Sequence, residues 1–178
     1  VSLVELAVSA AMGAMLMGAL YTLLDHGQRL YGQAAARVET QQGARVALTR
    51  LATEIRQAGQ APGGPTFPAI SVAEPARIVL HVDDDGDGVI AGPRETVTWT
   101  LTEDRVLRRN AGGGAQPIVN GVRELAFAYL DAAGAPTAVA ADVRSVVIAL
   151  TTEPDHLAAD PSRRATTRLR TQVRLRNR

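Results

Sequence analysis

Cysteine is absent from the 178 residues of this chain. That excludes disulfides, thiol nucleophiles and thiolate metal sites. Aromatic residues make up only 3%, so any core must be built from Val, Leu, Ile and Ala. The net charge of +1 gives no global argument for a polyanionic partner. Catalytic patterns are missing too. His26, His81 and His156 are scattered, and Ser9, Ser71, Ser145 and Ser162 stand outside any G-x-S-x-G context. Gly112-Gly113-Gly114 is not followed by the Lys-Ser/Thr of a phosphate-binding loop. No enzyme is expected from these residues.

What is present begins at once. Val1 to Leu24 carries one charged side chain, Glu5, and then runs without charge from Leu6 to Leu24. Roughly 18 or more such residues are long enough to cross a bilayer's hydrocarbon core as a helix. No lysine or arginine comes before Arg29. A carboxylate at the leading edge of such a run is costly in lipid and calls for a partner. The chain begins at Val1 without an initiator methionine, which suggests a processed terminus, and the Val1 α-amino group is then the natural partner. Within one helix the two lie about a turn apart. Between parallel helices offset along their axes, Glu5 of one copy meets the amine of the next, which offsets the burial cost of both ions. An uncleaved signal anchor or a long buried core helix are the plainer readings of the same run. Gly13 and Gly18, with Ala10, Ala11, Ala14 and Ala19, form small-residue patches that suit close helix packing in lipid or merely reflect membrane composition.

From Asp25 to Gly59 the composition turns polar, with Leu30, Ala34, Val38, Ala44, Leu48, Leu51 and Ile55 near helical spacing. This predicts an amphipathic continuation of the first helix. Gly27, Gly32 and Gly43 each cost about 1 kcal/mol relative to Ala, so bends or unwinding are expected there. The helix should stop near Gly59, with Arg56 in its last turn and Pro62 beyond. A helix of nearly sixty residues is about 90 Å long, at about 1.5 Å per residue, too long for a small head to bury, so its apolar half must protrude. Residues 60–75 read as a loop with one short strand. Strands are expected over 76–82, 95–101, 106–108, 123–130, 143–151 and 168–176, with 110–116 and 153–164 as loops. The fold class is therefore α+β: a long N-terminal helix whose C-terminal half packs on an antiparallel sheet. Its parts are residues 1–24, 25–59 and a β-rich head, 60–178. The arginines of the last strand, Arg168, Arg170, Arg174 and Arg176, form a basic face. It is either solvated or a contact with a neighbour. Without interleaved aromatics it does not suit nucleic acid.

A second motif interrupts the strands. Asp83, Asp85 and Asp87, followed by Gly88, Val89 and Ile90, open like a calcium loop. Ca²⁺ takes about six to eight oxygens, and alternate carboxylates with the Val89 carbonyl can converge on one ion. An EF-hand would place a glutamate twelfth from Asp83. Arg94 stands there and Glu95 follows, so Glu95 closes a site only if the loop runs one residue long. The alternative is a solvated acidic hairpin turn, since D-G pairs are strong turn formers.

The first segment resembles the N-termini of type IV pilins and type II secretion pseudopilins. Leu3, Val4, Glu5 and Leu6 match their F-T-L-I/V-E-L start, with Val1 and Ser2 in place of Phe and Thr. Thr22 stands where many pilins have proline. The helix end LATEIRQAG, the D-x-D-G-D-G turn, Phe127 to Asp131, Val143 to Thr151 and the closing LRTQVRLRN are similar to PilW-type minor pilins and pseudopilin J. The resemblance implies a pilin-like fold and a minor, tip-initiating filament subunit. It also implies cleavage by a prepilin peptidase, methylation of the Val1 amine, and storage in the inner membrane before assembly. The expected partners are other pilin subunits in a periplasmic or extracellular filament. A major filament-forming subunit and a membrane-anchored periplasmic calcium- or ligand-binding domain are the alternatives.

Overall fold

The computed structural model describes residues 2–64, 67–153 and 166–177. Val1, most of the polar loop expected over 153–164, and with it His156, lie outside the described residues. Two compact units are found, Val1–Val38 and Glu39–Arg178.

One helix, α1 (Leu3–Gln57), supplies all of the first unit's regular structure and opens the second. Its N-terminus is capped locally. The Ser2 hydroxyl accepts the Val4 N–H at 3.2 Å, and the Glu5 carboxylate accepts the Ser2 N–H at 2.9 Å. This is a capping box, in which the two side chains satisfy backbone donors that a helix start leaves unpaired. The helix is unbroken through Gly27, Gly32 and Gly43, so the unwinding expected there does not occur. The flanking alanines, glutamines and leucines are strong enough helix formers to carry isolated glycines.

Burial along α1 starts later than the periodicity suggests. Leu30 and Val38 are 66% and 62% exposed, whereas Ala44, Ala47, Leu51 and Ile55 are fully buried. The apolar spacing is similar in both stretches. The core of the second unit draws on the helix from Ala44 onward.

The strands form two antiparallel meanders rather than one sheet. The first runs β1 (Ile70–Glu74), β2 (Arg77–His81), β3 (Thr96–Leu101), β4 (Leu107–Asn110) and β5 (Ala115–Val119). The second runs β6 (Val122–Leu130), β7 (Ser145–Thr152) and β8 (Thr167–Arg174). Strand β5 falls partly in the stretch expected to be loop. It sits at a sheet edge, where Pro117 removes no internal ladder bond. Alternation places Leu125, Phe127 and Tyr129 of β6 inward. They join Ile78, Leu80, Val97 and Trp99 of the first sheet, Val146, Ile148 and Leu150 of β7, and Leu51 and Ile55 of α1 in one core. Each fully buried Leu, Ile or Val contributes about 1.5–3 kcal/mol.

Three polar side chains, Glu54, Tyr129 and Asn177, tie elements of the second unit together. Glu54 of α1 accepts the Trp99 indole N–H at 2.5 Å and the Arg109 Nε–H at 2.8 Å, so it serves β3 and β4 together. The Tyr129 hydroxyl donates to the Glu74 carbonyl at 2.7 Å, which ties β6 to the β1–β2 turn. Burial, then the Glu74 charge, push that hydroxyl's pKa well above its ordinary value and keep the donor protonated. At the other end, the Asn177 side-chain amide donates to the carbonyls of Arg56 and Gln57, capping the last turn of α1 from the chain's far terminus.

Candidate functional site: the acidic loop and the amino-terminal helix

The connection between β2 and β3 spans residues 82–95 and carries the aspartates. Its base is a closed ladder rung, because the Val82 N–H donates to the Glu95 carbonyl at 2.9 Å. Asp83 is 5% exposed. Its two carboxylate oxygens accept the N–H groups of Gly86 at 2.6 Å and Gly88 at 3.0 Å. Asp85 accepts the Asp87 N–H at 3.1 Å, and Asp87 accepts the Val89 N–H at 2.7 Å. These bonds fold the loop into successive aspartate-centred turns. The turns need left-handed backbone at Gly86 (φ 83°) and Gly88 (φ 82°), which glycine adopts without a Cβ penalty.

The loop then returns through Gly92, Pro93 and Arg94. Arg94 takes φ 73°, and its guanidinium turns outward to Asp84 at 3.2 Å. Glu95, the next residue, is 1% exposed. One of its oxygens accepts the Gly92 N–H at 2.5 Å, while Oε1 has no hydrogen-bond partner.

Asp83, Asp85, Asp87 and Glu95 each offer a carboxylate oxygen, and these oxygens all lie within 4.8 Å of one another. This cluster can hold a metal ion. Oxygens around one Ca²⁺, bound at about 2.3–2.6 Å, lie at most about 5 Å apart. The crowding is visible in Asp85. The Asp87 N–H lowers its pKa, but desolvation and the charges of Asp87, Glu95 and Asp83 outweigh that bond and leave it raised. The four expected side chains are thus brought together. Val89 is held through its N–H, on Asp87.

Beside the loop, His81 is buried and bridges two hydroxyls. Nε2 lies 2.8 Å from Ser71 Oγ, and Nδ1 lies 3.0 Å from Thr96 Oγ1. A bulge between Ile70 and Val72 presents Ser71 for this contact. Burial lowers the His81 pKa.

In the first unit, α1 is long and apolar enough to cross a membrane by length and composition, a test that a signal sequence also passes. Glu5 is exposed there, and the Ser2 N–H and the Ser9 hydroxyl bond to its carboxylate and its carbonyl respectively. The pairing expected with the Val1 amine lies outside the described residues. The capping-box partner was legible as Ser2-x-x-Glu5 at the head of an apolar run, a pattern that a reading fixed on membrane charge passes over. Gly13 and Gly18 have open space around them. On β8, Arg168 pairs with Glu124 at 3.5 Å, and Arg170, Arg174 and, beyond the strand, Arg176 are exposed.

Compared with known proteins, the chain matches no family model and no curated protein.

Proposed function

We propose that this chain is a non-catalytic structural subunit of a type IV pilus or a related type II secretion-like filament, and within it a minor, tip-initiating pilin. The observation that carries the reading is Glu5, a single charge at the head of a helix whose next 19 residues, Leu6 to Leu24, are uncharged and exposed in the chain alone. A surface that apolar requires lipid or other apolar helices around it. In the membrane the run spans the inner leaflet-to-leaflet core. In the filament it packs against the same segment of other pilin subunits, and Glu5 meets the methylated Val1 amine of a neighbour. Prepilin peptidase generates that amine.

Glu5 has a rival role, the local cap on Ser2, and charge separates the two. Glutamine replaces glutamate in a capping box without losing the acceptor. A docking charge has no such substitute. The test is to express Glu5→Gln and Glu5→Ala chains in the cell and quantify each in sheared surface filaments and in the membrane fraction. Both variants are expected in the membrane, with both lost from filaments. Normal entry of Glu5→Gln would reduce Glu5 to a cap. The same preparations weigh the chain against the other filament subunits: a dominant band would make it a major pilin.

A second reading is favoured by the acidic cluster: a membrane-anchored periplasmic domain whose business is the cation. For the cluster itself we propose Ca²⁺, held for structure by the oxygens of Asp83, Asp85, Asp87 and Glu95 and by the Val89 carbonyl. All-oxygen, carboxylate-rich loops suit this hard ion. If filament entry is indifferent to Glu5 while calcium binding persists, the second reading replaces the first.

A further inference from the structure

We propose that Glu95 is the ligand that closes a calcium site on the β2–β3 loop, and that the bound ion fastens this loop to the segment leaving α1. The inference rests on the calcium reading of the acidic cluster, gives the reason Glu95 is needed in it, and adds a mechanical consequence.

Three aspartates in a turn do not by themselves make a site. Glu95 is what differs from a solvated acidic hairpin. It is 1% exposed, and its Oε1 has no partner. A buried carboxylate oxygen left unpaired is costly, and among charged groups the penalty is larger than for neutral ones. The neighbouring cation does not relieve it, because Arg94 points to Asp84 at the surface. The backbone is also cut away to admit the carboxylate. A Cβ on Gly92 would sit 2.8 Å from Glu95 Oε2 and 3.1 Å from Oε1, so a side chain there would displace the carboxylate. The turn bonds occupy one oxygen each of Asp85 and Asp87 and leave further lone pairs on all three aspartates for an ion. A divalent cation among these four groups satisfies Oε1 and relieves the mutual repulsion at one stroke.

The ion then bridges the two ends of the loop, since Asp83 lies at its start and Glu95 at its end. The start of the loop is already stitched to the chain leaving α1. The Asp83 N–H donates to the Gln60 carbonyl at 2.9 Å, and the Gly59 N–H donates to the His81 carbonyl at 2.8 Å. Gly86 lies against Pro62, where a Cβ would come within 3.2 Å of Cγ. Ordering Asp83 and Gly86 therefore orders Gly59 to Pro62.

The test uses the full chain in detergent micelles, stripped with a chelator and titrated with CaCl₂ alone, with MgCl₂ as control. Calorimetry reads binding, and hydrogen exchange reads order. At calcium about 100-fold above Kd, linkage slows exchange through metal-coupled openings by about 100-fold. That slowing is expected at Asp83, Gly86, Glu95, Gly59 and Gln60, and much less with MgCl₂. Glu95→Gln is expected to abolish binding while the metal-free chain keeps or gains melting temperature, which rules out simple misfolding. Asp85→Asn reports on the cluster alone. No heat with the parent chain would overturn the calcium reading itself. Binding lost in Asp85→Asn but intact in Glu95→Gln would overturn the role of Glu95 and leave calcium standing. Slowed exchange confined to 83–89, with Gly59 and Gln60 unchanged, would overturn the fastening.

Discussion

The two stretches of α1 share a backbone conformation and differ in almost everything else. Residues 3–38 expose Leu6, Met15, Leu20, Leu30 and Val38, whereas residues 44–57 bury Ala44, Ala47, Leu51 and Ile55. Intrinsic propensity and the Ser2–Glu5 cap suffice to make helix in the first stretch. Tertiary packing holds the second. An exposed apolar helix and a buried one thus belong to a single element, and only the second is held by burial within this chain.

That contrast can be broken by cutting the same side chain in each stretch. Leu51→Ala should cost about 2–5 kcal/mol of head stability, because a fully buried leucine leaves a cavity. Leu20→Ala should leave the head's melting temperature unchanged, since Leu20 is 53% exposed. Thermal melts of both variants in detergent decide it, and equal losses would mean that the exposed stretch is packed after all. A smaller effect is expected at the polar lock. Glu54→Ala orphans the buried Trp99 indole N–H and releases Arg109, at a cost of about 2–3 kcal/mol in chemical denaturation. Arg50→Ala, which loses a more exposed and longer contact to the same carboxylate, should cost below about 1 kcal/mol.

The smallest effect is one of pH. The folded pKa of His81 lies below its ordinary 6.5, so the unfolded chain binds this proton first. Stability from His81 is intact above the unfolded value, declines as pH falls below 6.5, and levels off below the folded value. In metal-free buffer, His81→Gln should flatten that part of the melting-temperature profile. A parent profile that rises on acidification through this range would contradict the burial of His81.

The sequence carried the helix and its stop well, because period 3.6, the Arg56–Gly59 end signal and β-branched runs are local. It carried the acid loop for the same reason: alternate aspartates and D-G pairs are written within a few residues. The reach of burial along α1 was not legible. Leu30, Val38 and Leu48 follow one spacing, and nothing local says which of them has a sheet beside it. Strand β5 was hidden by Gly112–Gly114 and Pro117, because edge pairing tolerates residues that a single-strand reading counts against it. The role of Glu54 was not legible either, because Trp99 and Arg109, distant in the chain, meet it only in the fold.

Local chemistry alone therefore determined an α+β chain, an apolar leading helix headed by one carboxylate, and a turn dense in oxygen ligands. Only the tertiary structure decided that the strands divide into two sheets and that burial of the helix begins at Ala44. It alone turned Glu95 inward to join the aspartates. The reason is physical: propensity, caps and turn geometry act over a few residues, whereas burial and the pairing of polar groups depend on partners that the chain brings together only when it folds.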